Sequence, residues 1–291
     1  MKIAFFGTPA FAVPSLEQLV AAGEEIVVAI TQPDRPRGRG HRVQPSPLKT
    51  AAMAHNISLL QPERVGDAGF AVALASCGAD LGVVAAYGKI LPDAILQTPR
   101  QGTINVHASL LPRYRGAAPI HRAIIEGERE TGVTMIRLVR EMDAGPMLAR
   151  AVRSIADNET SADVGRALAK VGARLLVSTV RDIAAGRVTE QPQDHALATL
   201  APRLTREDGR VDWTQSARAI HNLVRGLHPW PHAFSFLDGS RYLILSSIEP
   251  HEAKLPIPPV PVISPKICCK ASGTKDPKFS AHQVTMVPKP P

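Results

Sequence analysis

Apolar residues recur along this chain in two alternating rhythms. Short β-branched or unbroken apolar runs at 2–7, 25–31, 57–60, 81–86, 102–107 and 133–139 read as strands. Between them, apolar positions three and four apart predict helices starting near Pro14 and covering 47–55, 64–77 and 118–126, the last burying Ile120, Ile124 and Ile125. A longer helix is predicted over 162–185, with Val164, Leu168, Val171, Leu175, Leu176 and Ile183 on one stripe and Gly186 as its stop. Strands that are apolar through their middles and alternate with helices predict an α/β fold. We expect a Rossmann-like, mostly parallel sheet with flanking helices over residues 1–186.

The pattern then changes. Residues 187–210 are polar, carry Pro192 and Pro202, and read as a linker. An amphipathic helix is expected over 213–227, with Asp212 in its N-terminal cap region and His228-Pro-Trp-Pro231 as its end. Alternating runs at 232–236 and 241–248 around Asp238-Gly239 predict a hairpin, so 211–249 begins a smaller β-rich domain. Ten of the last 42 residues are proline, and Pro-Pro and Cys-Cys fragments do not make strands. Two readings of 250–291 stay open: a disordered basic extension, or an aberrant terminus standing where the remaining strands would be.

Composition narrows the class. At 291 residues with 44% apolar side chains, the chain has the makeup of an ordinary globular protein with room for two unequal cores. No apolar run reaches the roughly 18 residues of a membrane span, and Lys2 to Phe6 runs straight into a turn instead of a cleavable leader, so a cytoplasmic location is expected; a monomer is expected as well. Three cysteines, two of them adjacent at 268 and 269, make neither a disulfide framework nor a spaced zinc site, and no other ligand cluster calls for a metal. A net charge of +8 points to a polyanionic partner. A dense basic stretch lies at 32–46, where Arg35, Arg37, Arg39, His41 and Arg42 face the single acid Asp34. Prolines and glycines there forbid regular structure, so a mobile basic loop suited to a phosphate backbone is expected.

The opening strand and turn invite a dinucleotide reading, but Gly7-Thr-Pro9 supplies one glycine where the fingerprint needs three. The stronger chemistry lies at the end of the strand 102–107. Asn105 and His107, two residues apart, project from one face and pair a neutral donor with a titratable one. Asp143 follows the strand-like run 133–139. If the two strands are neighbours, its carboxylate can hold the imidazole in one tautomer.

Asn105, His107 and Asp143 in these settings resemble the Asn-His-Asp set of the folate-dependent formyltransferases. Gly7-Thr-Pro9, Thr31-Gln-Pro-Asp-Arg-Pro36, Gly38-Arg-Gly40, Pro45-Ser-Pro47, Ala86-Tyr-Gly88, His107 to Pro119 and Trp230-Pro231 extend the resemblance, in order, from Met1 to about Pro250. They are most similar to the branch whose acceptor is methionyl initiator tRNA. The resemblance implies 10-formyltetrahydrofolate as formyl donor, with Asn105, His107 and Asp143 as the catalytic set. It further implies a folate pocket formed by Ser109, Leu110, Leu111, Pro112, Tyr87 and Gly88, and tRNA contacts by Arg37, Arg39 and Arg42. The hairpin after 231 would begin an oligonucleotide-binding-type barrel. Two alternatives stay open: a formyltransferase for a small amine, such as glycinamide ribonucleotide or an amino sugar nucleotide, and a non-catalytic nucleic-acid-binding protein. The basic loop and second domain argue against the small acceptors.

Overall fold

In the computed structural model, residues 1–37, 42–248 and 283–288 are described. The first half runs β1 (Lys2–Gly7), α1 (Val13–Ala21), β2 (Glu25–Ile30), β3 (Arg35–Arg37), β4 (Arg42–Gln44), α2 (Pro47–Ala54), β5 (Leu59–Leu60), α3 (Ala68–Ser76), β6 (Leu81–Ala85) and α4 (Asp93–Leu96). It continues through β7 (Thr103–His107), α5 (Pro119–Ile125), β8 (Glu130–Arg137), β9 (Met147–Ser154) and α6 (Ser161–Ala184). The remainder holds α7 (Ala217–Gly226), β10 (Ala233–Leu237), β11 (Ser240–Ile248) and β12 (Gln283–Pro288). No helix among the described residues is long and apolar enough to cross a membrane.

Seven strands form one sheet in the order β5-β2-β1-β6-β7-β8-β9. The first five are parallel, and β8 returns antiparallel to β7. The chain moves outward from β1 to β2 and β5, then comes back to lay β6 on the other side of β1. The carboxyl ends of β1 and β6 therefore flank the point where the winding reverses, the usual ligand crevice of such sheets. Phe6, Ile30, Phe70, Leu74, Ile95 and Leu96 share one buried cluster, each contributing roughly 1.5–3 kcal/mol by leaving water. Behind β7 and β8, α6 brings Gly172 so near that an added Cβ would stand 3.0 Å from Val106 and 3.3 Å from Val133. Val106 thus faces α6, and Asn105 and His107 face the other way.

The expected strands and helices are present with ends shifted by a few residues; short α4 is an addition, and so is β9. It escaped the pattern because it is an edge strand, alternating partly buried and exposed positions, with Arg150 and Arg153 interrupting its apolar run. The basic segment corrects a second expectation. Instead of irregular backbone it forms a ladder, with Arg35 opposite Gln44, Pro36 opposite Val43 and Arg37 opposite Arg42. Two-stranded pairing tolerates Pro36 because neither strand is a sheet centre. Residues 38–41, including Arg39, lie outside the described residues.

Contacts divide the chain into two units. The first comprises Met1–Gly116, Gly132–Arg153 and Gly165–Leu200, and the second comprises Ala117–Thr131, Ser154–Val164 and the chain from Ala201 onward. The expected linker is therefore not a free tether: 187–200 belong to the first unit and 201–210 to the second.

Within the second unit, α7 packs on α5 and β11. It starts at Ser216, whose hydroxyl accepts the Ala219 amide at 3.2 Å. Asp212, expected in that cap region, instead holds a preceding turn by accepting Thr214 N at 2.9 Å and Thr214 Oγ1 at 2.7 Å. Val211, Ile220, Val224, Ala233 and Ile244 form the core under an antiparallel β10-β11-β12 sheet. Arg225 is buried there, its guanidinium donating to Asn222 Oδ1 and to the carbonyls of Ala156 and Glu159. The expectation for 250–291 falls mostly outside the described residues. At 283–288 it is corrected, because β12 pairs with β11 from Gln283 opposite Ile248 to Pro288 opposite Tyr242.

Candidate active site

β7 ends at His107, and the chain then makes a tight loop. Ser109 is fully buried. Its hydroxyl donates to Arg113 O at 2.7 Å, closing the turn over Leu110 to Pro112. From β8, buried Thr134 donates to Ser109 O at 2.7 Å and accepts Leu111 N at 3.2 Å. One hydroxyl thereby fixes both ends of the loop to the sheet.

His107 is 5% exposed and Asp143 13%. His107 Nε2 lies 2.9 Å from Tyr114 O, and since a carbonyl only accepts, that nitrogen carries a proton in this arrangement. Nδ1 stands 3.5 Å from Asp143 Oδ2, and Asn105 Nδ2 stands 3.5 Å from Asp143 Oδ1. The same Asp143 Oδ2 accepts the Gly116 amide at 2.9 Å. The amide, imidazole and carboxylate proposed from sequence thus converge within the first unit.

The route by which Asp143 arrives differs from expectation. Because β8 is antiparallel to β7, with Arg137 opposite Ile104, the end of β8 lies beside the start of β7 and away from His107. The segment 138–146 must fold back to deliver the carboxylate. At its return Gly145 approaches Arg137 O so closely that an added Cβ would stand 2.0 Å from it. Asp143 itself takes a left-handed backbone at φ 51°, a conformation uncommon for non-glycine residues though one that aspartate enters more readily than most.

The other expected contacts divide by burial. Leu111 and Ser109 turn inward, whereas Leu110 and Pro112 are partly exposed. The Tyr87 ring is a correction: it is 1% exposed, stacks edge-on against Phe6 at 5.6 Å, and belongs to the core. Burial pushes its phenol up to about 12, and its hydroxyl has no hydrogen-bond partner among the described residues. What this turn offers a ligand is backbone at exposed Gly88, φ 81°, beside a Tyr87 carbonyl that accepts Thr8 Oγ1 at 3.1 Å and Gln32 Nε2 at 2.8 Å.

At the base of the arginine hairpin, Lys49 Nζ binds Asp34 Oδ2 at 2.5 Å, and Gln61 Nε2 donates to Asp34 Oδ1 at 2.9 Å. Asp34, the single acid of the basic segment, thus also ties the base of the hairpin to α2. Thr31 and Ser46 close the same base with their hydroxyls 2.7 Å apart.

Sequence reasoning missed Thr134 and Gln193. Thr134 carried a faint signal, a polar residue inside an apolar strand, while Gln193 carried none. Arg115, in the polar stretch after Pro112, is likewise buried, at 8% exposure.

A parallel sheet whose winding reverses at β1 and β6 gathers amide, imidazole and carboxylate at the end of β7, the layout of an α/β enzyme site. The chain belongs to the formyl transferase family, matching "Formyl transferase" over residues 1–180 and "Formyl transferase, C-terminal domain" over residues 203–262. The second match carries the likeness past Pro250, where the motifs read from sequence ended. Its similar relatives include the methionyl-tRNA formyltransferase of Heliobacterium modesticaldum, 49% identical over 258 residues that cover 89% of this chain and 81% of the relative. The methionyl-tRNA formyltransferase of Enterococcus faecalis is 46% identical over 243 residues, covering 84% and 78%. Among solved structures, the fold is similar to that of WlaRD, a sugar 3N-formyl transferase crystallised in the presence of dTDP and 5-N-formyl-THF. That match has a TM-score of 0.68 at 18% identity, over 99% of this chain and 98% of that one.

Proposed function

We propose that this chain transfers the formyl group of 10-formyltetrahydrofolate to the α-amino group of methionyl initiator tRNA, serving translation initiation in the cytoplasm. Two lines support the reading: kinship with methionyl-tRNA formyltransferases over most of the chain, and the cluster of Asn105, His107 and Asp143. The cluster is the observation that carries it.

In the proposed reaction, the uncharged amine of the methionyl group attacks the formyl carbon, forming a carbon–nitrogen bond and placing negative charge on the formyl oxygen. The Asn105 amide donates to that oxygen, and His107 Nδ1–H joins it once the ring has taken up the amine's proton, Nε2–H staying on Tyr114 O; each such donor contributes about 3 kcal/mol to the transition state. The tetrahedral intermediate collapses by breaking the bond to N10 of the folate. The proton lost by the amine passes to N10 through His107, Asp143 or a held water. Asp143 Oδ2 stands 3.5 Å from Nδ1, where the carboxylate orients the ring during that relay. Leu110, Pro112 and the backbone at Gly88 supply the folate contacts in this reading.

The deciding assay mixes the protein with 10-formyltetrahydrofolate and one amine at a time: methionyl initiator tRNA, glycinamide ribonucleotide or an amino sugar nucleotide. Tetrahydrofolate release is followed. Turnover with the tRNA alone supports the proposal, turnover with a small amine reassigns the acceptor, and no release with any of them leaves a nucleic-acid-binding protein.

The arginine hairpin is assigned to the tRNA backbone. Arg42→Ala is expected to raise KM for the tRNA several-fold while leaving KM for the folate unchanged. It should also flatten the fall of kcat/KM with salt by about one unit of log–log slope. An equal rise in both KM values would remove the hairpin from tRNA binding.

A further inference from the structure

Within the first unit, residues 191–200 lie across both loops of the site. Gln191 and Met147 exchange backbone hydrogen bonds of 2.8 Å. Thr199 accepts Tyr114 N on its hydroxyl at 2.9 Å and Arg115 N on its carbonyl at 2.8 Å. Between these ties sits Gln193, 5% exposed. Its Nε2 donates to Asp143 O at 2.8 Å and to Gly145 O at 2.7 Å. Its Oε1 accepts Arg115 Nε at 3.0 Å and Nη2 at 2.7 Å. Arg115 Nη1 lies a further 3.3 Å from His195 Nδ1.

The amide has one working orientation here. Turned over, it would set its NH2 against a guanidinium and its oxygen against two carbonyls, opposing like partners in a buried place. Both donors of Gln193 are spent on the backbone that presents Asp143, at the residue with φ 51° and at the glycine where 138–146 returns. Asp143 is then gripped twice: its carboxylate by Gly116 N–H and its carbonyl by Gln193.

We propose that Gln193, oriented by Arg115, is a positioning residue that holds Asp143 in its left-handed conformation against His107. The inference rests on the proposed role of Asp143 in formyl transfer. Gln193 acts through Asp143, so its loss should lower kcat and leave substrate binding as it was.

The test is a double-mutant cycle in the full chain, with single-turnover rates measured at excess enzyme so that slow variants stay readable. Gln193→Ala is expected to lower the transfer rate about 10- to 100-fold, the range for outer-shell partners, with both KM values within about twofold of wild type. In an Asp143→Asn background the same change should alter the rate by less than about twofold, since the group it positions is already disabled. Gln193→Glu, which still accepts from Arg115 but donates nothing to the two carbonyls, should lose as much as Gln193→Ala and serves in its place if the alanine variant does not fold. An equal loss in both backgrounds marks a general structural defect and overturns the proposal. A wild-type rate in both Gln193 variants, with Asp143→Asn inactive, overturns it and leaves the reading of the site standing. A wild-type rate in Asp143→Asn ends both.

Discussion

His107→Ala is expected to lower kcat by about 10³-fold, on the order of 4 kcal/mol of transition-state stabilisation. The loss combines two proposed duties, donation to the formyl oxygen and passage of the proton, and neither Asn105 nor Asp143 can take over a ring nitrogen at that place. The same change removes the donor 2.9 Å from buried Tyr114 O, a lost hydrogen bond worth roughly 0.5–1.5 kcal/mol. A chain of this size should then melt a few degrees lower. The two effects separate experimentally. His107→Gln keeps an N–H for the carbonyl and should recover most of the melting temperature without recovering the rate. A His107→Ala protein that turns over within tenfold of wild type would remove the imidazole from the mechanism.

Asp143→Asn is expected to cost about 10²- to 10³-fold in kcat with little change in either KM. Asparagine is nearly isosteric and can still accept the Gly116 amide, so the loop keeps its tie. What disappears is the negative charge 3.5 Å from Nδ1. Because asparagine also tolerates a positive φ, the backbone at 143 is not strained further, and the rate reports charge instead of fold. Rates equal to wild type under single-turnover conditions would show that the carboxylate does no chemical work.

The site was legible in sequence at the level of residue types. A strand ending in Asn105 and His107 places two polar side chains on one face by backbone geometry alone, and the loop 108–112 follows because Pro112 ends any regular element before it. Tyr87 was misjudged for a related reason. It follows a buried strand directly, and sequence cannot say whether a strand-end ring turns to the crevice or, as here, to Phe6. The basic segment was misjudged as irregular because proline and glycine are local signals, while pairing of Arg35–Arg37 with Arg42–Gln44 is a contact between two strands.

Local periodicity therefore determined the strands, the helices, the α/β class and the placing of Asn105 and His107 on one face at the end of β7, since each depends on side chains a few residues apart along one backbone. Tertiary structure alone decided that β8 runs antiparallel, that 138–146 doubles back to bring Asp143 to His107, and that 191–200 belongs with the catalytic sheet. Those outcomes rest on pairs distant in the chain, Asp143 with His107 across 36 positions and Gln193 with Asp143 across 50. No repeat or spacing encodes such pairs. They form when a buried amide finds two carbonyls and a guanidinium, and a carboxylate finds an amide and a ring nitrogen, because leaving any of these groups unpaired away from water costs more than ordering the loops that join them.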